Sequence, residues 1–395
     1  MKIAFCSQEY PPETAHGGIA TQTHAKAHGL AALGHDVFVI SHAVNPQRTE
    51  IRDGPVHVIR IPGFDQSMAI HTDAARWLTY STLVAAELAR LHAQVELDVV
   101  DFPEFGGEAF VHLLNRTAWN HLPTVIHLQG PLVMLANTIG WPEKHTELYR
   151  LGTWMESTCL RLADRVISSS QCSANWCAEQ HQMAGASIEV LHTGVDTSRF
   201  VPVTKPSRSA REVVFVGRIC ASKGVDTLVD AACRIAGEFP GLRVRLIGNV
   251  EPAFRAALEQ QVQFSGIPDL LEFVGFVERA KLPAELAGAD VFAAPSRYEG
   301  GPGFVVLEAM ACGLAPIACS GSGVAEVITH GETGMLVPPG DARALADSLK
   351  LLLSDDDLRK RIGTAARHYV ETQADSRTCA RRLEQVYLAV AESPR

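Results

Sequence analysis

EVVFVGRICASKGVDTLVDAACRIAGEFPGLRVRLIG, residues 212–248, decides how the chain folds. EVVFVGR (212–218) is an unbroken apolar run ending in Gly217, as expected of a strand covered on both faces. Apolar residues then recur at helical spacing over 224–238, and LRVRLIG (242–248) returns to the strand pattern. A strand, a helix and a second strand in so short a span form a βαβ unit, and therefore a parallel sheet.

The alternation continues in both directions. Downstream lie a helix at 252–264, LEFVGF (271–276), a helix at 279–287, VFAAP (291–295), the helix former VVLEAMA ending at Gly313, APIACS (315–320), GMLVPP (334–339) and a helix at 341–353. An Arg-rich helical segment spans 357–392. Upstream, KIAFCS (2–7), DVFVISH (36–42), VHVIRIP (56–62), LDVVDF (97–102), TVIHLQG (124–130), DRVISSS (164–170) and IEVLHTGVD (188–196) read as strands. Helices are expected between them at 18–33, 74–92, 107–120 and 145–163. Residues 197–211 are polar, hold Pro202 and Pro206, and interrupt the pattern as an interdomain linker would. The expectation is two Rossmann-like halves in tandem.

At 395 residues, with 47% apolar and 20% charged residues, the chain has the composition of a two-domain globular protein. Its net charge of −9 is uneven: residues 1–200 carry 13 Lys+Arg against 20 Asp+Glu, the remainder 22 against 24. Without a basic block, nucleic acid is not expected as a partner, and the acidic first half argues against an anionic membrane surface. The opening MKIAFCS reads as a strand rather than a leader, and no stretch reaches the ~18 apolar residues of a membrane span. The nine cysteines are scattered without a CxxC pair, which suits reduced thiols in a cytoplasmic protein.

Ligands of open parallel sheets sit beyond the carboxyl ends of the strands, so chemistry is sought in those loops. PSRYEGGPGFVVLEAMACG (295–313) places Glu299 and Glu308 on either side of a glycine-rich loop opening a helix. Uncovered amides at a helix start attract an anion, although a tight turn with two unrelated glutamates reads the same way. Arg218 and Lys223 follow one strand; as a fork and a point charge they suit a diphosphate, or they are solvated cations. Gly17-Gly18 opens the first helix ten residues beyond its strand, which is not the GxGxxG dinucleotide pattern; a phosphate approach and a plain turn both fit. His127 ends a strand, where it serves a sugar hydroxyl, a proton transfer or the core alone. The Asp355–Asp357 Asp-x-Asp is read as a helix cap, and no other His, Cys or carboxylate cluster suggests a metal. Fourteen of the sixteen histidines precede residue 200 and, His127 apart, read mostly as surface or capping residues. No GxSxG elbow is present.

Together these segments resemble the retaining glycosyltransferases of family 4. The resemblance rests on PP…GG followed by a helix, GH-x-V at Gly34, His35 and Val37, HLQG with His127, HTGVD, VGR…KG at Gly217, Arg218, Lys223 and Gly224, PSRYEG…LEAMACG and GETGMLVPPGD. It implies an α/β protein of GT-B fold, two Rossmann-like doubly wound parallel-sheet domains facing across a cleft. Their expected bounds are 1–200, joined by a terminal helix at about 375–395, and 205–374. The activity implied is retaining, metal-independent transfer of a sugar from a nucleotide-sugar, with uridine the commonest base, to a small-molecule or glycan hydroxyl. The nucleotide-sugar is a substrate, and no cofactor is expected.

By the resemblance, Arg218 and Lys223 hold the diphosphate. The loop at Gly303, Phe304 and Val305, with Glu299, contacts phosphate and sugar, and Glu308 takes the ribose. Val277, beside Phe276, faces the base; Gly17 and Gly18 approach the phosphates; and His127 lies by the transferred sugar. Glu299 and His127 are the expected catalytic pair. Eight residues separate Glu299 from Glu308, one more than the family's usual seven. Acceptor contacts are expected from 13–18, 103–107 and 129–141. The alternatives are a non-catalytic nucleotide-sugar-binding protein or another GT-B activity such as an epimerase.

Overall fold

The computed structural model describes residues 1–14, 17–45, 47–62, 70–181, 188–203 and 211–392. The chain divides into two compact units, Met1–Thr193 with Ser376–Arg395, and Gly194–Asp375.

The first unit is built on eight strands: β1 (Lys2–Cys6), β2 (Asp36–Ala43), β3 (Thr49–Asp53), β4 (Val56–Pro62), β5 (Val99–Pro103), β6 (Thr124–Leu128), β7 (Arg165–Ser168) and β8 (Glu189–Val190). Their order in the sheet is β3-β4-β2-β1-β5-β6-β7-β8. Strand residues alternate between two apolar layers. Ala4, Cys6, Val100, Phe102 and Ile126 face Tyr80, Val84, Leu88 and Met155. Ile3, Phe5, Val99 and Val125 face Ala27, Leu30, Val386 and Tyr387. Both faces are covered, so the strands read as continuous apolar runs.

Two expectations are corrected here. The sheet is not wholly parallel, because β3 pairs antiparallel with β4. TEIRD is polar and four of its five residues are exposed, so it lacks the apolar signature of its neighbours. The helix expected over 107–120 shrinks to Phe110–Leu114. Beyond it, the Thr117 hydroxyl accepts the amides of Trp119 and Asn120, diverting the backbone into a turn.

The second unit carries six strands, all parallel: β9 (Glu212–Val216), β10 (Arg243–Ile247), β11 (Leu271–Gly275), β12 (Val291–Ala294), β13 (Ala315–Cys319) and β14 (Met335–Val337), ordered β11-β10-β9-β12-β13-β14. Of the stretch read as a linker, residues 204–210 lie outside those described. Gly194–Phe200 belong to the second unit, where Phe200 is buried in the core and its carbonyl accepts from Arg367 at 2.5 Å. The segment expected as helical over 357–392 is two helices, Asp356–Gln373 in the second unit and Ser376–Ala391 in the first. Asp355 caps the former, accepting the Leu358 amide at 2.8 Å, so its carboxylate serves the helix end.

Helix Ser376–Ala391 packs on helix Gly18–Ala32 at Gly29, where a Cβ would lie 2.9 Å from that of Ala380. All nine cysteines are free thiols. Among the described residues, no helix is long and apolar enough to cross a membrane.

Candidate functional site

In the second unit the strand order reverses between β9 and β12, so the loops after these two strands flank a topological switch point. The loop after β9 carries Arg218 and Lys223, and the loop after β12 carries Glu299 and Gly303. Gly224 draws them together. At φ 68° its backbone lies so near Pro295 that a Cβ would sit 1.9 Å from the Pro295 carbonyl oxygen. Arg297 strengthens the junction by donating its amide to the Ser222 carbonyl at 3.0 Å. As a result Lys223 Nζ donates to Glu299 Oε1 at 2.5 Å, with both side chains about a quarter exposed (29% and 24%). Arg218, at the end of β9, is exposed.

The glycine loop is fixed from below: the Gly323 amide donates to the Glu299 carbonyl at 2.9 Å, and a Cβ on Gly323 would meet Gly300 O at 2.8 Å. Gly303, at φ 71°, opens helix Phe304–Ala311 and offers no side-chain cap to its first-turn amides at Phe304 and Val305. That end of the helix can take an anion. One turn further on, Glu308 is 2% exposed. Arg279 donates to its Oε1 at 2.9 and 2.7 Å. Burial pushes the Glu308 carboxyl up, and the charges of Arg279 and Arg199 pull it back. Beyond β11, Phe276 is 68% exposed and Val277 half-buried. Arg279 was not singled out in the sequence, because nothing in VERAK marks one cation as the partner of a buried glutamate.

In the first unit the order reverses between β1 and β5, and the ionisable groups near this point are buried. His127, on β6, is 2% exposed. Lys26 Nζ lies 3.3 Å from its Nδ1, and Gln22 Nε2 lies 3.3 Å from its Nε2. Lys26 also donates to Asp101 Oδ1 at 2.5 Å, and the Tyr387 hydroxyl donates to Asp101 Oδ2 at 2.6 Å. Burial and the Lys26 charge hold the His127 ring well below its ordinary pKa, so it is neutral at physiological pH. Gly17, in extended backbone, precedes the helix begun by Gly18; around Gly18 a Cβ would meet open space.

Three further carboxylates, missed in the sequence, hold loops of this unit. Glu104 accepts the amides of Gln129 and Gly130 at 2.6 and 2.5 Å. Glu156 accepts those of Leu132 and Gly106 at 2.8 and 3.4 Å, and Glu108 accepts that of Gln8 at 3.0 Å. Burial raises Glu104 to about 7 and Glu108 to about 8. The only signal available was a glutamate soon after a strand for Glu104 and Glu108, and one within a helix for Glu156, neither of which can reveal burial. The structure thus joins Lys223 with Glu299, and Arg279 with Glu308, in the second unit. His127, Gly17 and Gly18 lie in the first.

Two doubly wound units, one with charged and glycine-rich loops at its switch point, define a GT-B glycosyltransferase. Residues 16–199 match the family described as Glycosyltransferase Family 4, and residues 199–369 match Glycosyl transferases group 1. The chain belongs to the glycosyltransferases of family 4. It is 28% identical to the glycogen synthase of Mycobacterium tuberculosis over 100% of this chain and 96% of that protein. It is 34% identical to the same organism's GDP-mannose-dependent alpha-(1-6)-phosphatidylinositol monomannoside mannosyltransferase, over 48% of this chain and 52% of that one. Among solved structures it is similar to sucrose-phosphate synthase from Thermosynechococcus elongatus, with a TM-score of 0.83, 24% identity and 98% of each chain covered.

Proposed function

We propose that this glycosyltransferase moves a sugar from a UDP-sugar to a hydroxyl of a small-molecule or glycan acceptor, with retention and without a metal in the transfer step. The observation that carries the reading is Lys223 held against Glu299 at the β9/β12 switch point, beside the uncapped helix start at Gly303. Without donor, the ammonium is neutralised by the carboxylate. A diphosphate offers more charge and displaces it, freeing Glu299 toward the sugar. Lys223, exposed Arg218 and the Phe304 and Val305 amides then stabilise the leaving diphosphate. The buried carboxylate of Glu308, held by Arg279, accepts a ribose hydroxyl, and Phe276 with Val277 faces the base.

In the transfer step the bond from the anomeric carbon to the phosphate oxygen breaks, and the acceptor oxygen bonds to the same face. The acceptor's proton passes to the departing diphosphate, while Glu299 steadies the oxocarbenium-like sugar. His127, being neutral and fixed by Lys26, serves as a hydrogen-bonding group beside that sugar rather than as a proton carrier. Gly17 and Gly18 are assigned to the phosphate side. Loops held by Glu104, Glu108 and Glu156 are assigned to the acceptor. A cytoplasmic location, expected from the scattered thiols, belongs to the same proposal.

Thermal shift with UDP-, GDP- and ADP-sugars tests the donor, because only a bound ligand raises the melting temperature. A UDP-sugar is expected to give the largest rise. A rise with a GDP-sugar alone would replace the base, an outcome compatible with the mannosyltransferase relative. Transfer is expected to persist in EDTA, and a loss restored by Mg²⁺ would overturn the metal-free step.

A further inference from the structure

Away from the groups discussed so far, His24, His28 and Asp53 converge on the first unit. His24 and His28 are four residues apart on helix Gly18–Ala32, hence on one face. Asp53 is the last residue of β3, before a turn at Gly54 with φ 55°. The two imidazoles stack with centroids 4.1 Å apart. Both aim Nε2 at one oxygen, Asp53 Oδ2, at 2.9 Å from His28 and 3.5 Å from His24. One ligand atom from each of the three residues falls within 4.8 Å of the others. A tetrahedral ion with bonds of about 2.0–2.1 Å needs its ligand atoms roughly 3.3 Å apart, within the spread seen here.

We propose that His24, His28 and Asp53 form a site for a divalent transition metal, Zn²⁺ foremost. Two imidazoles and a carboxylate suit Zn²⁺ or its neighbours rather than Mg²⁺ or Ca²⁺, which prefer oxygen alone. Each side chain is about one-third exposed (32%, 29% and 35%), which leaves room for a water in the fourth position and a path for entry. The carboxylate has an outer support of the kind metal ligands use. Tyr10, wholly buried, donates its hydroxyl to Asp53 Oδ2 at 2.9 Å, and a second lone pair of that oxygen remains for the ion.

The site clamps helix Gly18–Ala32 to the antiparallel edge of the sheet. That helix also presents Gln22 and Lys26 to His127, so the ion stiffens the scaffold and takes no part in sugar transfer. No such cluster was expected from the sequence, and the structure brings these three side chains together. The helical spacing of His24 and His28 was visible, but Asp53 sits on the strand that the sequence did not reveal.

The test is titration of the untagged, chelator-treated full chain with Co²⁺ and then Zn²⁺, which does not depend on sugar transfer. One equivalent of Co²⁺ is expected to give visible d–d bands without a thiolate charge-transfer band, and Zn²⁺ is expected to displace it and raise the melting temperature. The double variant His24→Gln/His28→Gln should lose both signals. Tyr10→Phe should keep the spectrum while raising the Zn²⁺ Kd about 10–100-fold. No stoichiometric bands in the natural protein, bands carrying thiolate charge transfer, or bands that persist in the double variant would each overturn the site. The natural protein's spectrum decides even if the double variant fails to fold.

Discussion

Lys26 and Lys223 stand near the switch points of the two units, and each ammonium lies 2.5 Å from a carboxylate oxygen. Their surroundings differ. Lys26 and Asp101 are 6% and 1% exposed and tie two helices to the sheet, whereas Lys223 and Glu299 stay within reach of solvent. The first unit closes its pair inside the core, and the second leaves its pair where the proposed donor would meet it. Similar pairs on similar topologies therefore meet solvent differently, and burial is what separates them.

The comparison breaks most clearly at the lysines. Lys26→Ala leaves Asp101 buried without its cation and should cost about 3–5 kcal/mol in urea unfolding. A cost under about 1 kcal/mol would make the buried pair no more structural than a surface one. Lys223→Ala should change stability by less than about 1 kcal/mol but lower kcat by about 10²–10³. A stability loss equal to that of Lys26→Ala, or an unchanged kcat, would erase the distinction.

The third prediction uses the first unit's carboxyls. Glu104 and Glu108 hold their protons more tightly folded than unfolded, with values raised from 4.5 to about 7 and about 8. Their contribution is therefore complete below the unfolded value and is lost as pH climbs through the folded values. Above pH ~6.5 the histidines no longer interfere, since burial has pushed His112 down to about 4 and lowered His127 further from its charged form. Between about pH 6.5 and 8.5 these two carboxyls should cost the unit on the order of 3 kcal/mol, with Glu156, also raised by burial, adding to the loss, and Glu108→Gln should remove the larger share of the part due to the pair. A flat natural profile would show that these carboxyls are not held as the geometry indicates. The smallest effect falls in the second unit: Glu308→Ala should raise the donor KM about tenfold through the lost hydroxyl contact, with kcat little changed. An unaltered KM would remove Glu308 from the donor site.

What the sequence revealed follows the same division. Buried strands such as EVVFVGR and TVIHLQG declare themselves because both faces are apolar, and the glycine loop at 300–303 declares itself by composition, with Gly303 at φ 71° in the region that favours glycine. β3 escaped because an exposed edge strand has no apolar face to display. Glu104, Glu108 and Glu156 escaped because a buried glutamate and a solvated one are written with the same letter. Arg279 and Asp53 escaped because their partners are distant along the chain: 29 residues to Glu308, and 25 to His28.

The return of helix Ser376–Ala391 to the first unit has a consequence for the order of events during synthesis. Leu383, Val386, Tyr387 and Val390 complete that unit's core, so it cannot close until this last helix leaves the ribosome. The second unit is contiguous, from Gly194 to Asp375, and its parts are all available earlier. Asp101 waits 286 residues for Tyr387, and Lys26, made earlier, waits longer, so the unit begun first is the one finished last.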